Sequence, residues 1–273
     1  MLTCGMGESR GPVALSIVAA AHNEQDNVDR LVTEICAALE PSAIDYELIV
    51  VDDGSTDRTP ELLTRMLPDH PRLRVIRMLN TPGVSGWGNG QSAAFHAGIR
   101  TSRARIIALI DGDCQNDPAD IPPMVERLAG GGADMVQGDR SAQRRDGLVR
   151  RVSSRVGRLF RRLLLGDTIR DTGCSLRVMR RTVALALPLE FRGTHRFIPF
   201  TARQLGFRVV EMPVRHRART AGRTKYGIRN RAIPGLFDCF AMRWMRNRRR
   251  GVRYEEVTGD RAADPRPMAV NQE

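Results

Sequence analysis

Residues 105–123 read R-I-I-A-L-I-D-G-D-C-Q-N-D-P-A-D-I-P-P. An apolar run over 106–110 stops abruptly at Asp111-Gly112-Asp113, with Gln115, Asn116, Asp117, Pro118 and Asp120 crowded behind it. A short continuous apolar run bounded by turn residues is the pattern of a buried central strand in a parallel sheet. Open α/β sheets bind their ligands just past the carboxyl ends of such strands. Two carboxylates this close repel each other unless a cation lies between them, and hard oxygen donors favour Mg2+ or Mn2+. The plainer reading, a turn followed by helix N-capping, suits the later acids, Asp117 before Pro118 and Asp120 before Ile121-Pro122.

Outward from this stretch the chain alternates strand and helix. Strands are expected at 13–19, 46–51, 73–78, 106–110 and 133–137, and helices at 25–39, 59–66, 91–101 and 119–128. The first of these helices places Val28, Leu31, Val32, Ile35 and Leu39 on one face. The second strand, like the fourth, ends in acids: Asp52-Asp53-Gly54-Ser55-Thr56-Asp57. Repeated βα alternation without an internal repeat implies a layered, parallel α/β sheet. A charged loop at 139–147 leads to a helix at 148–165, with Leu148, Val152, Val156, Leu159 and Leu163 on one face and Arg151, Arg155, Arg158 and Arg162 on another. Two readings of it stay open: a core helix with a solvated arginine face, or a helix lying on an anionic membrane. Residues 171–178 read as a turn entering a short strand, 194–205 as a helix, 207–214 as a strand and 216–226 as a loop dense in arginine and glycine. A last helix over 235–247 exposes Leu236, Phe237, Phe240, Trp244 and Met245. The domain boundaries expected are a loose leader at 1–12, one catalytic domain at 13–227, a basic C-terminal helix at 228–250 and a disordered tail at 251–273.

The chain has 273 residues and a formal net charge of +12. Lys225 is its only lysine, so the excess is arginine. Such charge suits an anionic partner: nucleic acid, an acidic membrane surface or a phosphorylated substrate. Nucleic acid is disfavoured, because the few aromatic residues do not interleave with the basic runs and the clustered acids would have no purpose. The five cysteines are scattered without CxxC pairs, which fits a reducing cytosol and no structural zinc. No apolar stretch reaches the length of a membrane span, and no signal-peptide pattern opens the chain, so neither secretion nor spanning is expected.

Five segments in order, S-I-V-A-A-A-H-N-E, L-I-V-V-D-D-G-S-T-D-R-T, G-Q-S-A-A-F-H-A-G, D-G-D-C-Q-N-D-P-A-D-I-P and H-R-A-R-T-A-G-R-T-K-Y-G, resemble the family 2 glycosyltransferases, specifically their polyprenyl-phosphate sugar synthases. The resemblance runs from about Leu15 to Arg246. It implies a glycosyltransferase-A fold, that is, a Rossmann-like mixed, mostly parallel sheet with helices on both faces, here with C-terminal amphipathic helices added. It also implies inverting transfer of a sugar from a nucleoside diphosphate to a polyprenyl phosphate.

Carried onto this chain, the resemblance assigns Ala20, His22, Glu24, Val51, Asp52 and Asp53 to the nucleoside, although the family more often has Pro and Tyr where Ala20 and His22 stand. It assigns Gln91, Asp111 and Gly112 to the donor sugar and diphosphate, and Arg140, Arg217, Arg219 and Lys225 to closure over the diphosphate. Asp111, Asp113 and Gln115 would hold Mg2+ or Mn2+, with Asp111 and Asp113 carrying catalysis; Cys114, a soft donor among hard ones, would not join them. The glycines at 83, 86, 88 and 90 do not have dinucleotide-binding spacing and are read as bordering the donor sugar through the helix start at Gln91. His195 and Arg196 would face the acceptor. A base is not required, though Asp139, Asp146 and Asp171 stand in reserve. The enzyme expected is cytoplasmic and peripheral on the inner face of the membrane, resting there through the basic helices at 148–165 and 235–247, with an anionic membrane surface and a membrane-protein partner or homo-oligomer as further partners. The rivals are a family 2 transferase acting on a soluble saccharide or metabolite, and a non-catalytic basic adaptor.

Overall fold

The computed structural model describes residues 13–79, 88–141, 148–217 and 228–250. The leader, the tail, Arg219, Lys225, Asp146 and most of the glycine segment lie outside these residues. Among the described residues, seven strands form one sheet: β1 Leu15–Ala21, β2 Tyr46–Asp52, β3 Leu73–Arg77, β4 Ile106–Asp111, β5 Met135–Asp139, β6 Arg177–Arg180 and β7 Val209–Pro213. Their order is β3-β2-β1-β4-β6-β5-β7. Every pairing is parallel except the two made by β6, which lies antiparallel between β4 and β5. The sheet is therefore mixed and mostly parallel.

The burial of each strand follows its place. β1 and β2 are buried almost throughout, as central parallel strands covered on both faces must be. β3 and β7 are the edges and are only partly buried, and β7 ends in Pro213, a residue that an edge strand tolerates because it donates no ladder bond. Alternation along the strands feeds two cores. Leu15, Ile17, Leu48 and Ile110 meet α1 (Val28–Leu39), α2 (Thr59–Met66) and α4 (Ile121–Ala129) on one face. Val18, Ile49, Val51 and Leu109 meet α3 (Gln91–Thr101), α6 (Arg181–Ala186) and α7 (Ile198–Gln204) on the other.

Some expectations shift. β1 runs to Ala21, so Ala20 belongs to the strand rather than to the turn after it. α1 begins at Val28, because the residues before it are spent on turn bonds to the β2 loop. The six-residue helix α6 was not anticipated; it is too short to show a helical period in sequence.

Two long helices complete the fold: α5 (Leu148–Leu165) and α8 (Ile228–Arg248). They pack on each other and on Phe197 and Phe200 through Phe160, Leu165, Cys239 and Met242, with Phe160 edge-on to Phe240 at 6.0 Å. Arg243 and Arg246 of α8 donate to the Leu164 and Leu165 carbonyls, each at 2.8 Å, capping the C-terminal end of α5 where helix carbonyls lack partners and the dipole favours cations. Of the expected apolar stripe of α5, Val156, Leu159 and Leu163 are 61%, 58% and 75% exposed, while the neighbouring Phe160, Leu164 and Leu165 pack on the small core. In α8, Leu236, Phe237, Phe240 and Trp244 are exposed as expected, but Met245 turns inward onto the small core.

α3 approaches β1 and β2 closely because Gly98 has no side chain. A Cβ there would lie 2.2 Å from Val18 Cγ1 and 3.1 Å from Val51 Cγ2. Gly98→Ala should therefore destabilise the protein by about 1–3 kcal/mol through overpacking, despite the gain in helix propensity. Urea denaturation reads this directly, and an unchanged midpoint would contradict the packing described.

Candidate active site

The strand order places a topological switch point at β1. The chain moves from β1 outward to β2 and β3, then returns to lay β4 on the other side of β1. Loops after β1 and β4 must diverge there, and the crevice between them is where open α/β sheets take ligands. Ala20 is in register with Asp111 across this junction. The Ala20 carbonyl accepts the Gly112 N–H at 3.1 Å, and a Cβ on Gly112 would lie 2.8 Å from that same oxygen. Glycine is thus required between the two acids, and Asp111 and Asp113 are held at the mouth of the crevice.

Behind Asp111 lies a buried set of charges. Asp111 takes a hydrogen bond from the Gln91 side-chain amide at the start of α3. Burial, then the adjacent Asp113 carboxylate, push its pKa up to about 6, while Ser175, Arg177 and Arg140 work in the other direction. Arg177 is buried in β6 and donates to Gln137 Oε1 at 2.8 Å and to the Thr172 carbonyl at 3.0 Å; burial lowers its pKa to about 10. Arg140 forms a two-pronged pair with Asp171 at 2.8 and 3.2 Å. Desolvation opposes its charge, but the Asp171 bond outweighs that and raises its pKa. Of this set, the sequence reading named Arg140 and Asp111 as site residues and Asp171 as a reserve base; it missed Arg177, Ser175 and Gln137. Asp171 is committed to Arg140, and Asp139 Oδ1 accepts the Ser141 N–H at 2.8 Å, so neither is poised as a base.

The β1 and β2 loops are knitted together on the other side. His22 Nδ1 lies 2.7 Å from the Asp53 carbonyl, which can only accept, so the proton sits on Nδ1. Asn23, at φ +53°, accepts the Thr56 N–H at 2.7 Å through its side chain. Glu24 accepts from Asn27 Nδ2 at 2.6 Å. Asp52 accepts the Ser55 N–H at 3.0 Å and shapes the turn. The Asp53 carboxylate accepts the Asn89 N–H at 2.8 Å and the Gly90 N–H at 2.6 Å, an anion at the N-terminus of α3. Gly88 packs on that carboxylate, where a Cβ would be 2.3 Å from Asp53 Oδ2. Val51 is fully buried, so only its backbone is available to a ligand.

The remaining predicted residues divide. His195 sits beside the site: its N–H donates to Ser92 Oγ at 3.1 Å and its Nδ1 pairs with the same hydroxyl at 2.8 Å. Arg196 turns away to Asp238 of α8 at 2.9 Å. Arg217 reaches Glu34 at 2.6 Å and Asp117 at 3.0 Å, and its N–H donates to the Gln115 carbonyl. Asp117 accepts the Ala119 N–H as the expected cap. Asp120 holds Arg215.

The donor chemistry fits a hard divalent cation. Asp111 and Asp113 are oxygen donors whose mutual repulsion a cation would relieve. Cys114, at φ +55°, is buried with its thiol toward the Asn27 carbonyl, and burial raises its pKa to about 11. It is not a thiolate ligand. Among the described residues no group of three or more His, Cys, Asp or Glu gathers at one point, so a cation here would draw its other ligands from substrate or water.

The profile of the family described as glycosyl transferase family 2 matches residues 16–187. Dodecaprenyl-phosphate galacturonate synthase of Rhizobium johnstonii is 36% identical over 232 residues, covering 84% of this chain and 66% of the relative. Undecaprenyl-phosphate 4-deoxy-4-formamido-L-arabinose transferase of Edwardsiella ictaluri is 35% identical over 214 residues, covering 78% of this chain and 63% of the relative. The chain thus spans slightly under two thirds of the length of these relatives. Among solved structures, glucosyl-3-phosphoglycerate synthase from Mycobacterium tuberculosis, in complex with Mn2+, UDP and glucosyl-3-phosphoglycerate, superposes with TM-score 0.63 at 22% identity over 84% of this chain and 79% of that one. Mannosyltransferase PcManGT from Pyrobaculum calidifontis, in complex with GDP-Man and Mn2+, gives 0.60 at 18% identity over 84% and 63%. The sheet has the glycosyltransferase-A arrangement of these neighbours.

Two measurements test the charge arrangement. The pKa of Asp111 is raised on folding, so its ionised form opposes folding at neutral pH, and this opposition fades as pH falls from about 6 toward the unfolded value of 3.8. Asp111→Asn should raise the melting temperature of the metal-free protein at neutral pH, and the gain should shrink as pH falls through that window. A gain independent of pH would refute the origin assigned to the shift. Arg177→Met should cost on the order of 3 kcal/mol in urea denaturation, because it strands buried acceptors and leaves Asp111 poorly compensated.

Proposed function

The chain belongs to glycosyl transferase family 2, and from that membership and the geometry of the switch point we propose that it is a metal-dependent, inverting glycosyltransferase. It moves a sugar from a nucleoside diphosphate to a polyprenyl phosphate. The observation that carries this reading is the Asp111-Gly112-Asp113 turn, pinned to Ala20 at the crevice and backed by the Arg177, Arg140 and Asp171 set. The acceptor class is supported by the relatives that are named for dodecaprenyl- and undecaprenyl-phosphate. The donor and metal are supported by the neighbours crystallised with UDP or GDP-Man and Mn2+.

In this reading Asp111 and Asp113 hold Mg2+ or Mn2+, with Gln115 alongside. The ion, when bound, stabilises charge on the departing nucleoside diphosphate. Gln91 orients Asp111, and the Asp53 carboxylate fixes the glycine loop at the start of α3, where the donor sugar lies. Glu24, His22 and the β2 turn face the nucleoside, and carboxylates there accept paired hydrogen bonds from a base edge or ribose. Arg219 and Lys225 are the cations assigned to the diphosphate charge, whereas Arg140 and Arg217 act mainly by holding Asp171 and Asp117 in place. The acceptor needs no general base: a phosphate monoester has its second pKa near ~6 and is largely dianionic at neutral pH. Its oxygen needs positioning and charge screening more than deprotonation.

The acceptor lipid sets the location, peripheral on the cytoplasmic face of the membrane. Among the described residues no helix is long and apolar enough to cross a bilayer. The exposed stripe Val156, Leu159 and Leu163 of α5 and the exposed Phe237, Phe240 and Trp244 of α8 give the surface that rests on it. Exposed arginines flank them at 158, 162 and 248, each contributing about 1 kcal/mol near an anionic surface.

The test is nucleoside diphosphate release from UDP- and GDP-sugars with Mg2+ or Mn2+, with and without undecaprenyl phosphate in detergent. Turnover is expected only with the lipid phosphate, and Asp113→Ala should lower kcat/KM on the order of 100-fold or more, at least as much as loss of an outer-shell partner. Turnover that ignores the lipid, or that requires a soluble saccharide, would move the acceptor to the rival class. Full-length protein should also float with vesicles containing anionic lipid, less so in high salt.

A further inference from the structure

The carboxylate of Asp53 points away from its own turn and onto the segment that opens α3. Its Oδ1 accepts the Asn89 backbone N–H at 2.8 Å and the Asn89 side-chain amide at 3.1 Å, and its Oδ2 accepts the Gly90 N–H at 2.6 Å. Gly88 closes the remaining approach, where a Cβ would clash with both Oδ2 and the carbonyl oxygen of Asp53. The residue is 4% exposed. A carboxylate offers about four lone-pair sites. Here N–H groups fill three of them, and the backbone of Gly88 lies over the oxygen that has one left. The pair of free acceptors that a base edge or two ribose hydroxyls would need is therefore already used.

What the contact fixes is the start of α3. Gly90 has φ +99°, a backbone that glycine adopts without strain, and the grip on its N–H sets where Gln91 begins. The Gln91 amide then donates to Asp111 Oδ1. β1 lies between β2 and β4 in the sheet, so the ends of those strands stand two strand spacings apart, roughly 10 Å. Segment 88–91 bridges that gap and joins an acid beyond the end of β2 to an acid at the end of β4.

We propose that Asp53 is a positioning residue for the metal site: by gripping Asn89 and Gly90 it sets Gln91 against Asp111, and its carboxylate holds no part of the nucleoside. This rests on the metal-dependent reading proposed above and adds to it the residue that ties the β2 turn to a metal-holding acid. Asp53 touches neither the ion nor the nucleotide; its effect passes through Gln91.

The experiment measures two affinities in parallel: UDP and GDP in the presence of EDTA, by calorimetry, and Mn2+ at saturating nucleotide, by the spin-resonance signal of the free ion. Wild type is compared with Asp53→Asn, Gly88→Ala, Gln91→Ala and the double variant of Asp53→Asn and Gln91→Ala, with melting temperature alongside. Mn2+ affinity should fall roughly 10-fold or more in each single variant, as on loss of an outer-shell partner, while metal-free nucleotide affinity stays near wild type. Gly88→Ala belongs in the set because it removes no polar group and acts only by pushing the segment off the carboxylate. Gln91→Ala puts the best helix former at the helix start and so stays folded. The double variant should lose no more than its more affected parent, because both act on Asp111 along one path. Weaker metal-free nucleotide binding in Asp53→Asn with Mn2+ affinity unchanged makes the carboxylate a nucleoside ligand and overturns the proposal. Additive losses in the double variant overturn it too, as does a fall of both affinities in step with melting temperature, which marks a merely structural residue. A wild type that binds nucleotide but no Mn2+ overturns the metal-dependent reading itself, a result distinct from the others.

Discussion

Two carboxylates separated by one glycine at the end of a buried strand repel each other, and much of the architecture around them exists to hold that repulsion in place. A strand end can bring Asp111 and Asp113 together only if the backbone between them is pinned, which the Ala20 carbonyl does by accepting from Gly112. The charge must also be answered from behind, where water is scarce. β6 performs that task by running antiparallel between β4 and β5, which brings Arg177 beside Leu109 and close to Asp111. A wholly parallel sheet would place a different strand end there. The one reversal of strand direction in the sheet thus delivers a buried cation to the site.

The same need explains why α3 starts where it does. The N–H groups of Asn89 and Gly90, just before the helix, are answered by Asp53, and its first side chain, Gln91, is spent on Asp111. One short segment, 88–92, is therefore tied to the ends of β2 and β4 and, through Ser92, to the turn that carries His195. Displacing any one of these ties moves the others, because they share a backbone only a few residues long. The turn that carries His195 and the acidic crevice are thus joined mechanically at α3.

Much of this was legible in the sequence where local pattern and global role agree. Continuous apolar runs identified β1, β2 and β4, and acids at their ends marked the crevice, because a central parallel strand and its ligand-facing turn both write themselves into adjacent residues. Arg177 was not legible. It stands in L-R-V-M, a pattern that suits an edge strand with an exposed arginine, and only the antiparallel pairing turns it inward. α5 was ambiguous for a different reason: an amphipathic stripe reads the same whether it meets a core or a bilayer, and sequence alone does not tell that Val156, Leu159 and Leu163 are exposed while Phe160 and Leu165 pack inward. The resemblance assigns Arg140 and Arg217 to the diphosphate, and the structure shows what sequence could not, that Arg140 pairs with Asp171 and Arg217 with Asp117 and Glu34.

That outcome bears on the net charge of +12 as a whole. Guanidiniums form rigid forks that satisfy a carboxylate with two parallel bonds or reach a helix-end carbonyl, which a lysine ammonium does less well. In this chain many of them are used so: Arg140 and Arg217 on acids, Arg177 on Gln137 and Thr172, Arg215 on Asp120, Arg243 and Arg246 on the end of α5. Arginines spent in this way are locally neutralised or screened and add little to the field felt at a distance. The arginines exposed on α5 and α8 flank an apolar stripe instead, so the positive field and the hydrophobic surface coincide at one end of the molecule. Pairing of this kind lowers the effective charge of a basic protein below its formal value, and on α5 and α8 exposed guanidiniums lie next to exposed apolar side chains, so charge and hydrophobic surface meet on the same two helices.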